Sequence, residues 1–277
     1  MSAVVDAHVH IFPPEVAERR AYFVECDAWF AALYASPRAR IATAEDLIRV
    51  MDGAGIAASF ALSFGWRDAV IGKMHNDYLL DAARRFPGRI LPFAHVPPDT
   101  ADPDLDGFAG IGEWMPEGQG FELDEHSRLS GQLAAARARG LPVLTHVSEP
   151  VGHSYPGKSN VSPASVWRLA RAFPGNRFIA AHWGGGLLFH ELMPEVRRDL
   201  VNVWYDTAAG RLLYDDAIFA TALTVVSPAK LLWGSDYPVV SPRRYLRAVR
   251  GLGLGEDILE GLLGGNSLAA APGTLTP

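Results

Sequence analysis

The 277-residue sequence predicts an α/β protein built as one (β/α)8 barrel, a TIM barrel. Three observations predict it: short apolar runs recur along the chain, amphipathic helix-like stretches separate them, and the length suits one barrel domain. No repeat or domain boundary interrupts this pattern, so residues 1–277 are expected to form a single domain. A doubly wound sheet is less favoured, because Ile11-Phe12-Pro13-Pro14 stands where a G-x-G-x-x-G turn would follow the first strand.

The apolar runs are typical of strands in a parallel sheet that is buried on both faces. Each run is 6 to 9 residues long and is bounded by Gly, Pro or polar residues. The predicted strands are residues 4–11, 56–64, 89–96, 109–115, 142–148, 177–182, 201–207 and 230–236.

Helix punctuation separates several of these strands. Ser and Thr act as N-caps, Pro stands early, and Gly or Pro-Gly ends the amphipathic stretch. Thr43 precedes the first helix, Gly140 follows the third, and Ser162-Pro163 opens the fourth. The predicted helices occupy residues 43–53, 75–86, 125–139 and 162–173.

Two departures from a regular barrel are expected. Residues 12–40 form an insertion after strand 1, which could serve as a lid or a partner surface. Residues 97–108, between strands 3 and 4, are too few and too rich in Asp and Pro for a normal helix. The barrel is therefore expected to be distorted.

Composition limits the classes of partner. A net charge of -6 argues against nucleic acid or an anionic membrane as the main partner. The single cysteine, Cys26, cannot form an internal disulfide. The first predicted strand starts at Val4, so no signal peptide is expected before it. No apolar run approaches the length of a membrane span. We expect a cytoplasmic protein that acts on a small molecule. Homodimers are common among such barrels, and the insertion could supply the interface.

Polar residues gather at the carboxyl ends of the predicted strands. His8 and His10 alternate on strand 1, and His146, His182 and Asp236 end strands 5, 6 and 8. In a parallel barrel these ends meet at the mouth that carries the active site. Four imidazoles and one carboxylate at one mouth predict a divalent metal site, best suited to Zn²⁺ with Mn²⁺ or Fe²⁺ as alternatives.

Glu113 closes strand 4 and is expected to face the same mouth. It could bridge a second metal or bind a substrate group, or it could serve as an acceptor behind the ligands or as a salt-bridge partner. The sequence therefore does not decide whether the site holds one metal ion or two.

These residues resemble the amidohydrolase superfamily, in particular the branch that includes aminocarboxymuconate-semialdehyde decarboxylase. The resemblance implies that His8, His10, His146 and Asp236 bind the metal and that His182 acts on the bound water or the substrate. Glu113 departs from that branch and resembles the bridging glutamate of two-metal TatD-type hydrolases. The motifs that carry the resemblance are His8-x-His10, Asn76-Asp77-Tyr78, His182-x-Gly184-Gly185, Trp233-Gly234-Ser235-Asp236-Tyr237-Pro238 and Gly264-Gly265-Asn266-Ser267.

The main hypothesis is a metal-dependent hydrolase that cleaves an amide, lactone or other ester of a small molecule, anionic ones included. A bound divalent metal lowers the pKa of water from 15.7 to about 7. Asp236 would serve as general base and acid, and His182 would orient the water or stabilise the oxyanion. The alternative is a metal-dependent non-oxidative decarboxylase of an aromatic or muconate-type acid, which Glu113 disfavours because carboxylates repel. A third hypothesis is a non-catalytic binding barrel.

Candidate substrate-binding residues lie in loops after the strands. His153, Tyr155 and Lys158 follow strand 5 and could meet an anionic group, or they could belong to a solvated loop. After strand 2, Trp66 offers a ring face and Arg67 a partner for a carboxylate. After strand 7, a further candidate of the same kind is Arg211.

Overall fold

The computed structural model describes residues 3–272, and within that range eight parallel strands form one sheet in sequential order. This confirms the predicted barrel. The strands are β1 (Val5–His10), β2 (Ala58–Leu62), β3 (Ile90–Ala94), β4 (Gly110–Trp114), β5 (Pro142–Thr145), β6 (Arg177–Ala180), β7 (Val203–Asp206) and β8 (Leu231–Leu232).

The sheet closes between β1 and the segment that follows β8. The Ala7 amide donates to the Trp233 carbonyl oxygen at 2.9 Å, and the Asp236 amide donates to the His8 carbonyl oxygen at 2.9 Å. Asp236 itself has a left-handed backbone, with φ of 67°. The predicted strand at residues 230–236 is therefore too long, because the chain leaves extended geometry where Asp236 turns to the barrel mouth.

The helices follow one another around this sheet in chain order. Three of the four predicted helices begin within one residue of the expected position, whereas α5 begins earlier than expected. The Asp68 side chain accepts from the Val70 and Ile71 amides and so starts α5 before the apolar pattern becomes regular. The helices are α1 (Pro14–Glu18), α2 (Arg20–Cys26), α3 (Ala28–Tyr34), α4 (Ala44–Ala54), α5 (Ala69–Arg85), α6 (Pro116–Gln119), α7 (His126–Arg139), α8 (Pro163–Ala172), α9 (Pro194–Asp199), α10 (Gly210–Leu213), α11 (Ala217–Val225), α12 (Pro242–Arg250), α13 (Glu256–Glu260) and α14 (Asn266–Ala270).

Both expected departures from a regular barrel are present. No helix lies between β3 and β4 in the described chain, and the insertion after β1 forms α1, α2 and α3. These short helices are held by a buried, largely aromatic cluster that also contains residues from the β2 and β4 loops. The insertion is therefore packed over the barrel mouth. The buried members of the aromatic cluster are Phe12, Val16, Phe23, Phe30, Tyr34, Phe64, Trp66 and Met115.

Two polar groups anchor this aromatic cluster. Asp27 caps α3 by accepting from the Phe30 amide at 2.8 Å, and its other oxygen accepts from the Arg67 amide at 3.0 Å. His75 stacks on Phe12 and accepts at Nδ1 from the Trp66 indole at 3.0 Å.

None of the helices described between residues 3 and 272 is long and apolar enough to cross a membrane.

Candidate metal centre

Three predicted ligands converge at the carboxyl end of the barrel. The Nε2 atoms of His8 and His10 lie 3.2 Å apart. The Oδ1 atom of Asp236 is 3.7 Å from His8 Nε2 and 3.9 Å from His10 Nε2. One donor atom from each of the three side chains therefore lies within 4.8 Å of the others, which is close enough for one ion to contact all three.

Glu113 stands between two pairs of imidazoles. Its Oε2 atom lies 3.5 Å from His8 Nε2 and 3.2 Å from His10 Nε2. Its Oε1 atom lies 2.9 Å from His146 Nδ1 and 3.7 Å from His182 Nε2. Each oxygen therefore faces one pair, and the carboxylate lies at the centre of the cluster.

Asp206, at the end of β7, contacts the ring of His8 and the backbone amide of His182. Its Oδ2 atom lies 2.8 Å from His8 Nδ1, and its Oδ1 atom accepts from the His182 amide at 2.9 Å. With Nδ1 engaged in this way, His8 turns Nε2 to the cluster, which is the second-layer arrangement common behind metal-binding histidines. Asp206 was not among the predicted site residues, although it ends an apolar strand as His146, His182 and Asp236 were expected to do.

A left-handed turn sets the position of His182. Backbone φ is positive from His182 through Gly186, beginning at 56°. A Cβ atom at Gly185 would lie 2.5 Å from the Ser148 carbonyl oxygen, so only glycine allows this close approach. The His182 Nδ1 atom then lies 3.1 Å from the Ala208 carbonyl oxygen, to which it can donate. Its Nε2 atom consequently faces Glu113.

Burial and mutual charge shift the protonation of the cluster. Burial alone would raise the pKa of Glu113, but the surrounding imidazoles, His8 above all, hold it well below its usual value. Burial alone would lower the pKa of His8, yet Asp206 and Glu113 raise it well above its usual value. For His182, burial is likewise outweighed, and Glu113 and Asp236 raise its pKa to about 9. Protons therefore compete with a metal cation for these donors.

The donor set fits a divalent metal. His8, His10 and Glu113 are buried, and the Nδ1 atom of His10 has no hydrogen-bond partner within the described chain. Imidazole nitrogens and carboxylate oxygens together suit Zn²⁺, Mn²⁺ or Fe²⁺. The residues that could hold an ion form two groups among residues 3–272, one of His8, His10 and Asp236 and one of His8, Glu113 and His182. His146 belongs to neither group, and its Nδ1 atom contacts the Oε1 atom of Glu113.

A cavity of about 600 Å³ opens above this cluster. Its floor contains His10, Glu113, His146, His182 and Asp236. Its walls are mainly apolar and aromatic, and the insertion supplies one side of them. The wall residues include Trp29, Leu33, Tyr34, Phe64, Met115, Tyr155, Leu212, Leu213 and Val239.

The structure brings two of the predicted substrate-binding residues to this cavity. His153 and Tyr155 line it, and the Tyr155 hydroxyl donates to Glu149 at 2.9 Å. Lys158 instead braces the loop, because its Nζ atom donates to the carbonyl oxygens of Val151 at 2.6 Å and His153 at 3.2 Å.

The remaining three predicted residues are not among those that line this cavity. Trp66 is buried in the aromatic cluster of the insertion, where its indole bonds to His75. Arg67 is exposed, with its guanidinium beside Gly120. Arg211 is exposed and its Nε atom lies 3.3 Å from Asp216 Oδ1. Packing against the insertion decided the position of Trp66, whereas Arg67 and Arg211 are exposed.

A family model described as Amidohydrolase matches residues 5–270. No curated protein matches the chain. The family match spans all eight strands, so it applies to the whole barrel and its site.

Several solved structures share the fold across nearly the whole chain. A 5-carboxyvanillate decarboxylase from Novosphingobium aromaticivorans, complexed with manganese and 4-hydroxy-3-methoxy-5-nitrobenzoic acid, has 16% identity and a TM-score of 0.76, over 97% of this chain and 95% of that one. A dihydroxybenzoic acid decarboxylase from a Polaromonas species, with manganese and 2-nitroresorcinol, has 16% identity and a TM-score of 0.72, over 98% and 97%. A 5-carboxyvanillate decarboxylase from Sphingomonas paucimobilis has 16% identity and a TM-score of 0.74, over 97% and 98%.

Proposed function

The chain belongs to the amidohydrolase family, and from this membership we propose that it is a divalent-metal-dependent decarboxylase of an aromatic carboxylic acid. Decarboxylation was the alternative hypothesis from the sequence, and we favour it here over hydrolysis. Support comes from structures of the same fold that are named as decarboxylases of hydroxylated benzoic acids, two of them with manganese. Manganese is therefore the first ion to test, with zinc second.

The observation that carries the proposal is the contrast between the cavity walls and floor. Aromatic side chains such as Trp29, Phe64 and Tyr155 line the walls, whereas the imidazole and carboxylate cluster forms the floor. A flat apolar ring is stabilised by such walls, while its acidic substituent is directed to the polar floor. The arrangement therefore suits an aromatic acid better than a fully polar substrate.

The residues of the floor can supply the proton that decarboxylation requires. A bound divalent ion would hold and polarise the oxygens of the substrate. Asp236 lines the cavity, and His182 faces it with Nε2 because Nδ1 lies against the Ala208 carbonyl oxygen. Either group can pass a proton to the ring carbon. The bond from that carbon to the carboxylate then breaks, its electron pair returns to the ring, CO₂ leaves, and solvent reprotonates the donor.

The test is release of CO₂ from hydroxybenzoic acids. Metal-free protein is reloaded with Mn²⁺ or Zn²⁺ and incubated with carboxyl-labelled hydroxybenzoates that carry one or two carboxylates. We expect metal-dependent release of labelled CO₂ and formation of the matching phenol. Hydrolysis of esters, lactones or amides by the same samples, without CO₂ release from any acid, would reject decarboxylation.

Hydrolysis remains the second candidate because of Glu113. Its two oxygens face separate imidazole pairs, an arrangement in which one carboxylate could bridge two ions. Elemental analysis of protein purified without chelator or added metal distinguishes the two candidates. About two ions per chain would support a bridging Glu113 and hydrolysis, and about one would support decarboxylation.

A further inference from the structure

One polar side chain on the cavity wall has its proton already engaged. Tyr155 lies on the loop after β5 and lines the cavity. Its hydroxyl donates to the Oε2 atom of Glu149 at 2.9 Å. A phenol carries a single proton, so this contact leaves the Tyr155 oxygen only its lone pairs for any further hydrogen bond.

The surroundings of Glu149 favour this hydrogen bond. The Oε1 atom of Glu149 is buried and has no hydrogen-bond partner within the described chain. Loss of the Tyr155 hydroxyl would remove a donor from a carboxylate that is already short of donors, which is costly in a half-buried place. Burial, and then Glu149, raise the pKa of Tyr155 to about 12, so the phenol stays protonated and donates.

A second phenol borders the same carboxylate. Burial, and then Glu149, raise the pKa of Tyr214, which follows α10. Glu149 is not among the residues that line the cavity, whereas Tyr155 is. The carboxylate therefore attracts the proton of Tyr155 away from the cavity, and the cavity side of the Tyr155 oxygen is left to accept.

The loop that carries Tyr155 is fixed on two sides. The Ser159 amide donates to the Oγ atom of Ser148 at 3.0 Å, which ties the end of the loop to its start. Gly157 passes so close to α3 that a Cβ atom there would lie 2.8 Å from the Cδ2 atom of Leu33. The Tyr155 oxygen is therefore held at a defined place on the wall.

We propose that Tyr155 selects a substrate that presents a hydroxyl or amino group to this wall, and that Glu149 is the positioning residue that makes the Tyr155 oxygen an acceptor. A methoxy or nitro substituent offers only lone pairs to this oxygen and would leave it without a partner. The inference rests on the proposed function for its aromatic acid. It adds the chemical class of a ring substituent and the residues that select for it.

The experiment compares aromatic acids with their methyl ethers. Four dihydroxybenzoates that keep the 2-hydroxyl group are each paired with the ether in which the second hydroxyl is methylated. Each compound is titrated by calorimetry into manganese-loaded protein, and its dissociation constant is measured. We expect at least one dihydroxybenzoate to bind about 10-fold more tightly than its ether.

Three variants separate the hydrogen bond from the space that a methyl group needs. Tyr155→Phe removes the acceptor, so the dihydroxybenzoate should bind about 10-fold more weakly while binding of the ether is unchanged. Glu149→Ala frees the Tyr155 proton for the ether oxygen, so the ether should bind more tightly and the preference should fall. Glu149→Gln keeps an acceptor for that proton and should retain part of the preference.

Ser154→Ala is the matched control, because Ser154 is the exposed neighbour of Tyr155 on the same loop. It must leave the preference unchanged. The inference is overturned if no dihydroxybenzoate is preferred to its ether, or if Tyr155→Phe keeps the full preference. A preference that is lost in Tyr155→Phe but kept in full in Glu149→Ala would reject the positioning role of Glu149.

Measuring CO₂ in the same samples separates this inference from the proposed function. A Tyr155-dependent preference without CO₂ release would support the selection by Tyr155 and reject decarboxylation. Release of CO₂ together with equal binding of the acids and their ethers would support decarboxylation and reject the selection by Tyr155.

Discussion

The Nδ1 atom of His8 lies 2.8 Å from the Oδ2 atom of Asp206, and this contact turns the Nε2 atom of His8 to the centre of the site. Both side chains are fully buried. The same carboxylate accepts the His182 amide through its other oxygen. One residue at the end of β7 therefore orients the His8 imidazole from β1 and holds the backbone of the turn after β6 at His182.

Replacing Asp206 should weaken metal binding. Asp206→Asn removes the negative charge that keeps His8 in its orientation, and such replacements typically cost roughly 10–100-fold in metal affinity. Competition titration of Mn²⁺ or Zn²⁺ against a chromophoric chelator measures the change. Asp257→Asn, on the exposed first turn of α13, is the control and should bind metal as the unmodified protein does. Equal affinity of a folded Asp206→Asn protein would contradict the orienting role.

Replacing Asp236 should abolish most of the turnover. Asp236→Asn keeps the size of the side chain but removes its capacity to accept and return a proton. We expect kcat to fall roughly 10²–10⁴-fold, the typical contribution of a general acid or base. Metal content is measured on the same preparation, so that loss of the ion is distinguished from loss of proton transfer. Intact turnover in this variant would show that the assignment is wrong.

Tyr34→Phe tests whether the phenol of the insertion contacts the substrate. Burial raises the pKa of Tyr34, and nearby Asp236 and Glu113 raise it further, so the hydroxyl stays protonated as a donor. The variant keeps the stacked ring, so the melting temperature should not change. We expect kcat/KM to fall about 10-fold through loss of one hydrogen bond. Tyr22→Phe, exposed on α2, should leave both quantities unchanged. A lower melting temperature with normal kcat/KM would indicate a structural role instead.

His75 should make the fold sensitive to acid. It is fully buried, it donates from Nε2 to the Ile11 carbonyl oxygen at 2.7 Å, and burial lowers its pKa from 6.5 to about 3. Above about pH 6.5 both the folded and unfolded forms are neutral, so His75 causes no pH dependence. Below it, the unfolded chain takes up a proton that the folded chain excludes. The free energy of unfolding therefore falls by up to about 1.4 kcal/mol per pH unit until the pH approaches 3.

Urea unfolding at pH 7.5 and pH 5 measures this effect in the unmodified protein and in His75→Gln. The variant should be less stable at pH 7.5, because it replaces a well-packed donor and acceptor. It should lose less stability on acidification, because it lacks the titrating group. Parallel pH profiles for the two proteins would exclude His75 as a source of the acid sensitivity.

The fold was predictable because its signals are local. Apolar runs bounded by turn residues mark the strands, and Thr43 caps α4 with a reciprocal hydrogen bond between Thr43 and Asp46. The starts of helices were less predictable where the cap was not followed by a regular apolar pattern. Asp68 starts α5 in this way, ahead of the predicted first residue.

The metal centre was partly predictable for the same reason. Strand direction alone places the residues that end parallel strands at one mouth, so His10, His146 and Asp236 could be grouped before their distances were known. Simple alternation was not a sufficient guide, since the pairing of β1 with β2 shifts register between Asp6 and Val9. Asp206 also ends a parallel strand, so it could have been grouped with these residues.

By itself the sequence determined the barrel, the insertion and the set of strand-end donors, because these depend on local patterning and on the direction of parallel strands. Tertiary structure alone decided that Glu113 lies between two imidazole pairs, that Trp66 is buried against His75, and that Tyr155 lines the cavity. These outcomes join residues that are far apart in the chain or depend on the path of a loop. Packing of the whole molecule sets such contacts, and no local preference encodes them.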